Sequence, residues 1–294
     1  MLFKNFLKST KKIFIFPFKL IGYFLASSGL VDFYFKNYQL SPAWQKRLND
    51  ILSSKDNELI PKVVNAGIIK NGKQTMHNGL KIYLGSYYGP ELAFIFLINK
   101  GVHEPQEERV FGEVLKKIKP GSTMIELGAY WSFYSMWFNK EVKNANNYMV
   151  EPDSFNLVQG KRNFKLNKLK GKFIQAFSGK SSSFTGAIPF LSIDDILKSN
   201  YIDFVDILHS DIQGFEFDML QGAINSFNDK KIGYVFISTH SNEVHNNCLS
   251  FLNGFNFIIL ANADKDHTFS VDGLIVARAP YYGGIEPILI DLKN

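Results

Sequence analysis

From about residue 104 to residue 278, short apolar runs alternate with stretches of helical periodicity, and this rhythm limits the possible folds more than any other feature. Val110, Phe111, Val114, Leu115 and Ile118 recur at three- and four-residue spacing, so 107–118 reads as a helix closed by Pro120-Gly121. A strand over 123–127 follows, then a turn at Gly128 and a helical stretch to about Val142. The pattern repeats as strand 148–150, helix 154–167, strand 173–177, strand 204–210, helix 216–226, strand 234–239 and helix 242–252. Strands 256–262 and 268–278 close the series without an intervening helix, and the Asp264–His267 turn suits an antiparallel pair. Alternating elements of this length predict βαβ units in a mostly parallel α/β sheet covered on both faces, ended by an antiparallel C-terminal hairpin.

Ahead of this region, residues 41–103 read as an irregular, β-like N-terminal extension, and 104–294 as the principal domain. Residues 1–40 differ in kind. They carry six lysines against Asp32, a net charge of +5, whereas the whole chain carries +6. The body is therefore nearly neutral and lacks a broad nucleic-acid footprint. In the tail, Leu2, Phe3, Phe6 and Leu7 share one helical face and Lys4 and Lys8 another. The uncharged run from Leu20 to Val31 is shorter than the roughly 18 residues a spanning helix needs, and Pro17 ahead of it would break or kink a longer continuous helix. The expectation is an interfacial segment, its Phe and Leu side chains at the acyl boundary and its lysines against an anionic membrane surface. A signal peptide, a membrane span and a helix packed on its own domain share parts of this pattern. Cys248 stands alone, which excludes an intramolecular disulfide and a cysteine-based zinc cluster.

Doubly wound sheets bind ligands beyond the carboxyl ends of their strands, so the candidate residues are sought there. Strand 123–127 carries Glu126 and runs into Gly128, and the next strand ends at Glu151. Glycine permits a tight turn and close backbone approach, Glu126 can face a cationic group, and an acid at Glu151 suits ribose hydroxyls. A dinucleotide fingerprint is absent. The segment after Gly128 is Ala-Tyr-Trp-Ser, with neither a second glycine nor a basic residue for a pyrophosphate. Acids without a phosphate cradle suit S-adenosylmethionine.

Four stretches in order, IELGAYWSFYS (125–135), VEPDSFNLVQGKRNFKLN (150–167), LSIDDIL (191–197) and HSDIQGFEFDMLQGA (209–223), resemble the FkbM family of class I S-adenosylmethionine-dependent methyltransferases. The likeness covers about residues 104–280. It implies a seven-stranded Rossmann-like sheet and O-methylation of a hydroxyl, often on a sugar or polyketide. Carried onto this chain, it implies that Glu126 and Gly128 line the methionine end of the cofactor, Glu151 its ribose, and Ser178 its adenine. Asp211 would lie beside the transferring methyl group. Ser132, also expected at the cofactor, stands where the family usually has glycine, and His209 and Gln213 replace its usual Lys and Glu.

Methyl transfer from a sulfonium is an in-line displacement, and a sugar hydroxyl needs a base to take its proton. His209 and Asp211 are two apart at a strand end, and His240 follows the strand over 234–239. The expected set is therefore Asp211 as orienter with His240 or His209 as base. No metal is expected. His240 and His245 are off the spacing for shared ligation, and nothing in the sequence joins Asp194 and Asp195 to Asp211. The aromatic residues Trp131, Phe133, Tyr134 and Trp137 read as core. Together these readings describe a cytoplasmic enzyme, peripheral to a membrane, acting on a glycan or lipid-linked saccharide. The rivals are a binding scaffold on a degenerate fold and a lipid or polyketide O-methyltransferase.

Overall fold

The computed structural model describes Phe35 and residues 38–294. The membrane-associating segment expected at 1–40 lies almost wholly outside the described residues. Within them, no helix is long and apolar enough to cross a membrane. Helices α1 (Pro42–Ser53) and α2 (Asp56–Leu59) come first, and the chain divides into two compact units. One comprises the described residues to Leu48 with Pro61–His103, and the other comprises Asn49–Ile60 with Glu104–Asn294.

In the first unit, β1 (Ile69–Lys70), β2 (Lys73–Thr75) and β3 (Lys81–Tyr83) form an antiparallel sheet. Asn71 and Gly72, at φ 52° and 67°, make the two-residue turn that pairs Lys70 with Lys73. That is the turn whose twist matches a hairpin. Helix α3 (Pro90–Ile98) starts on proline, whose missing N–H is harmless at a first helical position. Apolar on all sides, it carries no helical period, so the sequence reading treats it as irregular. Ala93 of this helix packs with Phe35 and Leu84.

The second unit runs α4 (Pro105–Leu115), β4 (Thr123–Leu127), α5 (Phe133–Glu141), β5 (Asn146–Val150), α6 (Ser154–Leu166), β6 (Lys172–Ile174), β7 (Phe177–Ser178) and β8 (Phe190–Leu191). It continues α7 (Ile193–Ser199), β9 (Val205–Ser210), α8 (Glu216–Gln221), α9 (Ile224–Asn228), β10 (Ile232–Thr239), α10 (Asn242–Gly254), β11 (Ile258–Ala263) and β12 (Gly273–Arg278). Seven of the strands form one sheet in the order β11-β12-β10-β9-β4-β5-β6. Strands β10, β9, β4, β5 and β6 are mutually parallel, while β12 runs antiparallel to both β10 and β11. This is the Rossmann-like sheet with an antiparallel C-terminal hairpin that the sequence predicts. Its core includes Ile125, Leu127, Leu208, Val235, Ile237 and Ile275 on the central strands. The expected core aromatics Trp131, Phe133, Tyr134 and Trp137 are all buried.

Several boundaries differ from the sequence reading, each for a local reason. The strand read over 173–177 breaks, because Phe177 leaves the main sheet to stack on Phe190 in the small β7–β8 ladder. The helix read over 216–226 is two helices. Asp194 accepts the N–H groups of Asn225 and Ser226 at 3.1 and 2.8 Å and so starts the second of them. The strand read from 268 begins only at Gly273, since the Thr268 hydroxyl and Phe269 N–H both donate to the Gln106 side chain.

Candidate functional site

Strand order reverses between β4 and β9. From β4 the chain passes through α5 to β5 on one side, and from β9 through α8 and α9 to β10 on the other. Sheets of this kind bind ligands beyond the carboxyl ends of the strands at such a reversal. Gly128, at φ +70°, makes that junction possible: a Cβ there would lie 1.8 Å from the Asp211 carbonyl oxygen. Glycine is required because the ends of β4 and β9 touch, a tighter constraint than the approach of a ligand. Hydrogen bonds from Gly128 N to Val150 O (2.9 Å) and from Asp211 N to Leu127 O (3.0 Å) lock three strand ends together.

The turn that follows is under backbone strain. Tyr130 and Ser132 have φ of 38° and 60°, the left-handed region that costs a side chain energy. Ser132 occupies the position where glycine is usual in the family that the sequence resembles. Space for its side chain comes from Gly160 of α6, where a Cβ would lie 2.3 Å from the Ser132 Oγ. The hydroxyl itself is buried without a hydrogen-bond partner.

Glu126 is buried, and its Oε2 accepts the Ser135 N–H at 3.1 Å. Burial pushes its carboxyl up to about 7, against the opposing pull of His209 and Ser135. Glu151, at the end of β5, accepts N–H bonds from Asp153 (2.9 Å) and Tyr130 (3.1 Å). Burial raises its pKa despite those donors. Ser178 ends β7 and has a buried hydroxyl without a partner.

His209 does not join the cleft group. It pairs with Glu126 across the β4–β9 register, and its ring is 3% exposed. Its Nε2 lies 2.7 Å from the Glu107 carboxylate, and Tyr134 covers the ring at 4.3 Å. Burial alone would lower its pKa, but Glu107, Glu126 and Asp211 together raise it. Glu107 also accepts the Ser238 hydroxyl at 3.2 Å, so His209 belongs to an internal polar cluster. Its likeness to a base in the sequence came from strand alternation, which fixes a face but not whether that face is open.

His240 has the opposite fate. It follows β10, with Nε2 3.3 Å from Asp211 Oδ1 and 3.5 Å from Asp272 Oδ1. Its Nδ1 lies 2.7 Å from Oε1 of the fully buried Glu216. Burial would lower the imidazole pKa, but the carboxylates of Asp211, Glu216 and Asp272 raise it to about 10. Burial raises Asp272 to about 6, with His240 opposing and Asp211 adding. Asp211 and His240 therefore meet, as the sequence expects. Asp194 and Asp195 are elsewhere, occupied with Asn225 and Ser226 and with Ser182 and Ser192. Glu216 and Asp272 were not foreseen. Glu216 lies within the HSDIQGFEF stretch and could have been proposed from it, whereas Asp272 reaches the site only through the antiparallel return of β12.

The donor set fits S-adenosylmethionine. The two acids at the ends of β4 and β5 retain lone pairs beyond their backbone partners, and Ser178 offers an unengaged hydroxyl. No Lys or Arg occurs between Gly128 and Ser135, so a pyrophosphate would find no counter-charge, whereas a sulfonium nucleoside would find carboxylates.

Residues 110–259 match the model of the methyltransferase FkbM domain. No curated protein matches the chain closely enough to count as a relative. Among solved structures, the chain is similar to a precorrin-6y C5,15-methyltransferase from Geobacter metallireducens, at 13% identity and a TM-score of 0.41 over 59% of this chain and 88% of that one. It is similar to a putative rRNA methylase from Clostridium thermocellum, at 12% identity and a TM-score of 0.46 over 60% and 97% of the two chains. The third is M. capricolum TrmK in complex with S-adenosylhomocysteine, at 15% identity and a TM-score of 0.38 over 59% and 69%. The match to the domain model spans half of the sequence and takes in β4, β5 and β9 with the ends that carry Glu126, Glu151 and Asp211, so this chain belongs to the FkbM methyltransferases, enzymes that use S-adenosylmethionine.

Proposed function

We propose that the chain transfers a methyl group to a hydroxyl of a glycan or lipid-linked saccharide. The observation that supports this is the convergence of Asp211, His240 and Asp272 at the cleft. Carboxylates and an imidazole can orient a polyhydroxylated acceptor by hydrogen bonds and receive the proton its oxygen loses. S-adenosylmethionine supplies the electrophilic methyl group. Glu126, Glu151 and Ser178 would hold that cofactor, and the turn at 128–132 would set its depth. The acceptor oxygen would lose its proton to the Asp211–His240 pair, on the Asp211 carboxylate where the imidazole is already charged. The nearly neutral body gives no reason to invoke a nucleic-acid acceptor.

The tail is the reason for choosing a membrane-linked acceptor. Six lysines interspersed with Phe and Leu in residues 1–40 would hold the enzyme on an anionic leaflet, where lipid-linked saccharides are assembled. The location proposed is thus cytoplasmic and peripheral to the membrane. The test is transfer of a labelled methyl group from S-adenosylmethionine to saccharide and lipid-linked saccharide fractions. Label recovered as an O-methyl sugar is the expected result. Label confined to protein, nucleic acid or sugar-free lipid contradicts the proposal.

A further inference from the structure

We propose that Asp211, His240 and Asp272 form a binding site for a divalent cation of the Mg²⁺ or Mn²⁺ class, placed to hold the acceptor hydroxyl. One ligand atom from each residue lies within 4.8 Å of the other two. Asp211 stands just past β9, His240 just past β10, and Asp272 just before β12, so three adjacent strands deliver them to one point. Two of the separations, 3.3 and 3.5 Å from His240 Nε2 to the two carboxylates, are close to the distance between neighbouring ligands of an octahedral cation. With ligands at about 2.1 Å, adjacent ones are about 3 Å apart.

The three groups are ion-paired through His240 Nε2, at 3.3 Å to Asp211 and 3.5 Å to Asp272, contacts that a cation would replace. His240 Nε2 is a buried atom with no properly aligned hydrogen bond, despite the two carboxylates beside it. Its other nitrogen is engaged: the Glu216 side chain is 0% exposed and holds Nδ1 at 2.7 Å. Metal-bound histidines are oriented in this way, by a carboxylate on the far ring nitrogen that aims the near one at the ion. The same Glu216 oxygen accepts the Gly214 N–H at 2.9 Å, which fixes the carboxylate, and its second oxygen has no partner. Lys265 is 3.9 Å from Asp272, and its ammonium donates to the His240 carbonyl, so it does not fill the space between the ligands.

Two carboxylates and one imidazole select a cation of intermediate hardness. The side chains of Asp211, His240 and Asp272 remain 30%, 15% and 16% exposed, which leaves coordination positions open to water or an acceptor hydroxyl. His240 would then release its Nε2 proton to serve as a ligand, and the cation would polarise the hydroxyl, whose proton leaves to solvent at an open coordination position. Only this use of the cation rests on the methyl-transfer reading; the cation site itself does not.

The test is titration of Mn²⁺ into the full-length protein after chelation and desalting, with unbound Mn²⁺ read by electron paramagnetic resonance. S-adenosylhomocysteine binding is measured calorimetrically on the same samples. One Mn²⁺ per chain is expected, with affinity reduced at least tenfold in Asp272→Asn and in Asp211→Asn. Glu216→Gln should weaken it on the order of tenfold, the usual effect of losing an orienting partner. Asp195→Asn removes a carboxylate bound to Ser182 and Ser192 and should leave Mn²⁺ affinity unchanged. Protein that binds S-adenosylhomocysteine but no Mn²⁺ overturns the cation site and leaves the methyl-transfer reading intact. Mn²⁺ binding that is unaltered in Asp272→Asn also overturns it. Mn²⁺ bound at these residues without S-adenosylhomocysteine binding supports the site and contradicts the methyl-transfer reading.

Discussion

Replacing Ser132 by glycine should stabilise the protein, because serine here meets two costs that its neighbours only partly offset. Its backbone is left-handed, at φ 60° and ψ 42°, which costs a non-glycine residue about 1–2 kcal/mol. Its hydroxyl is buried and unpartnered, worth about 1–3 kcal/mol more. Against this, glycine loses about 0.5–1 kcal/mol through its greater freedom in the unfolded chain. A net gain of about 2 kcal/mol follows, or about 5 °C in Tm for a domain of this size. The companion change is Gly160→Ala, whose new Cβ would lie 2.3 Å from Ser132 Oγ. Alone it gains about 1 kcal/mol of helix propensity but overpacks by about 1–3 kcal/mol. In the Ser132→Gly background the nearest remaining atoms are Tyr130 O at 3.0 Å and Phe173 Cε1 at 3.1 Å, so most of the clash is gone. Thermal and urea unfolding of the four proteins should give a coupling of about 1–2 kcal/mol between the sites. Additive effects, or a Ser132→Gly protein less stable than its parent, would refute the reasoning.

Two further predictions concern the frame of the site. Glu126 rises from 4.5 in the unfolded chain to about 7 when folded, so the native protein keeps a proton that the unfolded chain releases. Its contribution to stability is full below pH 4.5 and is lost as pH rises through 7, on the order of 3 kcal/mol in all. Glu126→Gln should flatten the dependence of Tm on pH between 5 and 8, and parallel profiles for the two proteins would contradict the assignment. Asp194 caps α9 with contacts to Asn225 and Ser226, so Asp194→Ala should cost about 1–2 kcal/mol in denaturant unfolding while leaving metal and cofactor binding unchanged. A loss of cofactor binding in that variant would mean that Asp194 acts at the site after all.

Periodicity made the sheet legible because each central strand is buried on both faces and flanked by turns. The strand at 123–127 was read at its true limits, and the hairpin of β11 and β12 followed from the missing helix between them. Short elements were harder to read. Helix α7 has only seven residues and starts on a local cap, Ser192 accepting the Asp195 N–H, and the two-residue strands β7 and β8 are held by an aromatic stack. At the site, Glu126, Glu151 and Asp211 could be placed because each sits at the end of a recognisable strand. His209 has the same signal, but Glu107 from α4 turns it inward, and no local pattern announces a partner about a hundred residues away. Asp272 belongs to a loop without a motif, and only the order of the strands places it beside His240.

The most direct test of the central claim is calorimetric titration of S-adenosylhomocysteine into the native protein and into Glu151→Ala. Removing the carboxylate at the end of β5 should take away hydrogen bonds to a ribose worth about 1.5–3 kcal/mol, a loss of roughly ten- to a hundredfold in affinity. One molecule bound per chain, weakened by that factor in a variant whose unfolding remains cooperative, is the result the account predicts. A folded native protein that binds no S-adenosylhomocysteine, or a Glu151→Ala variant that binds it equally well, would contradict the placement of the cofactor in this crevice.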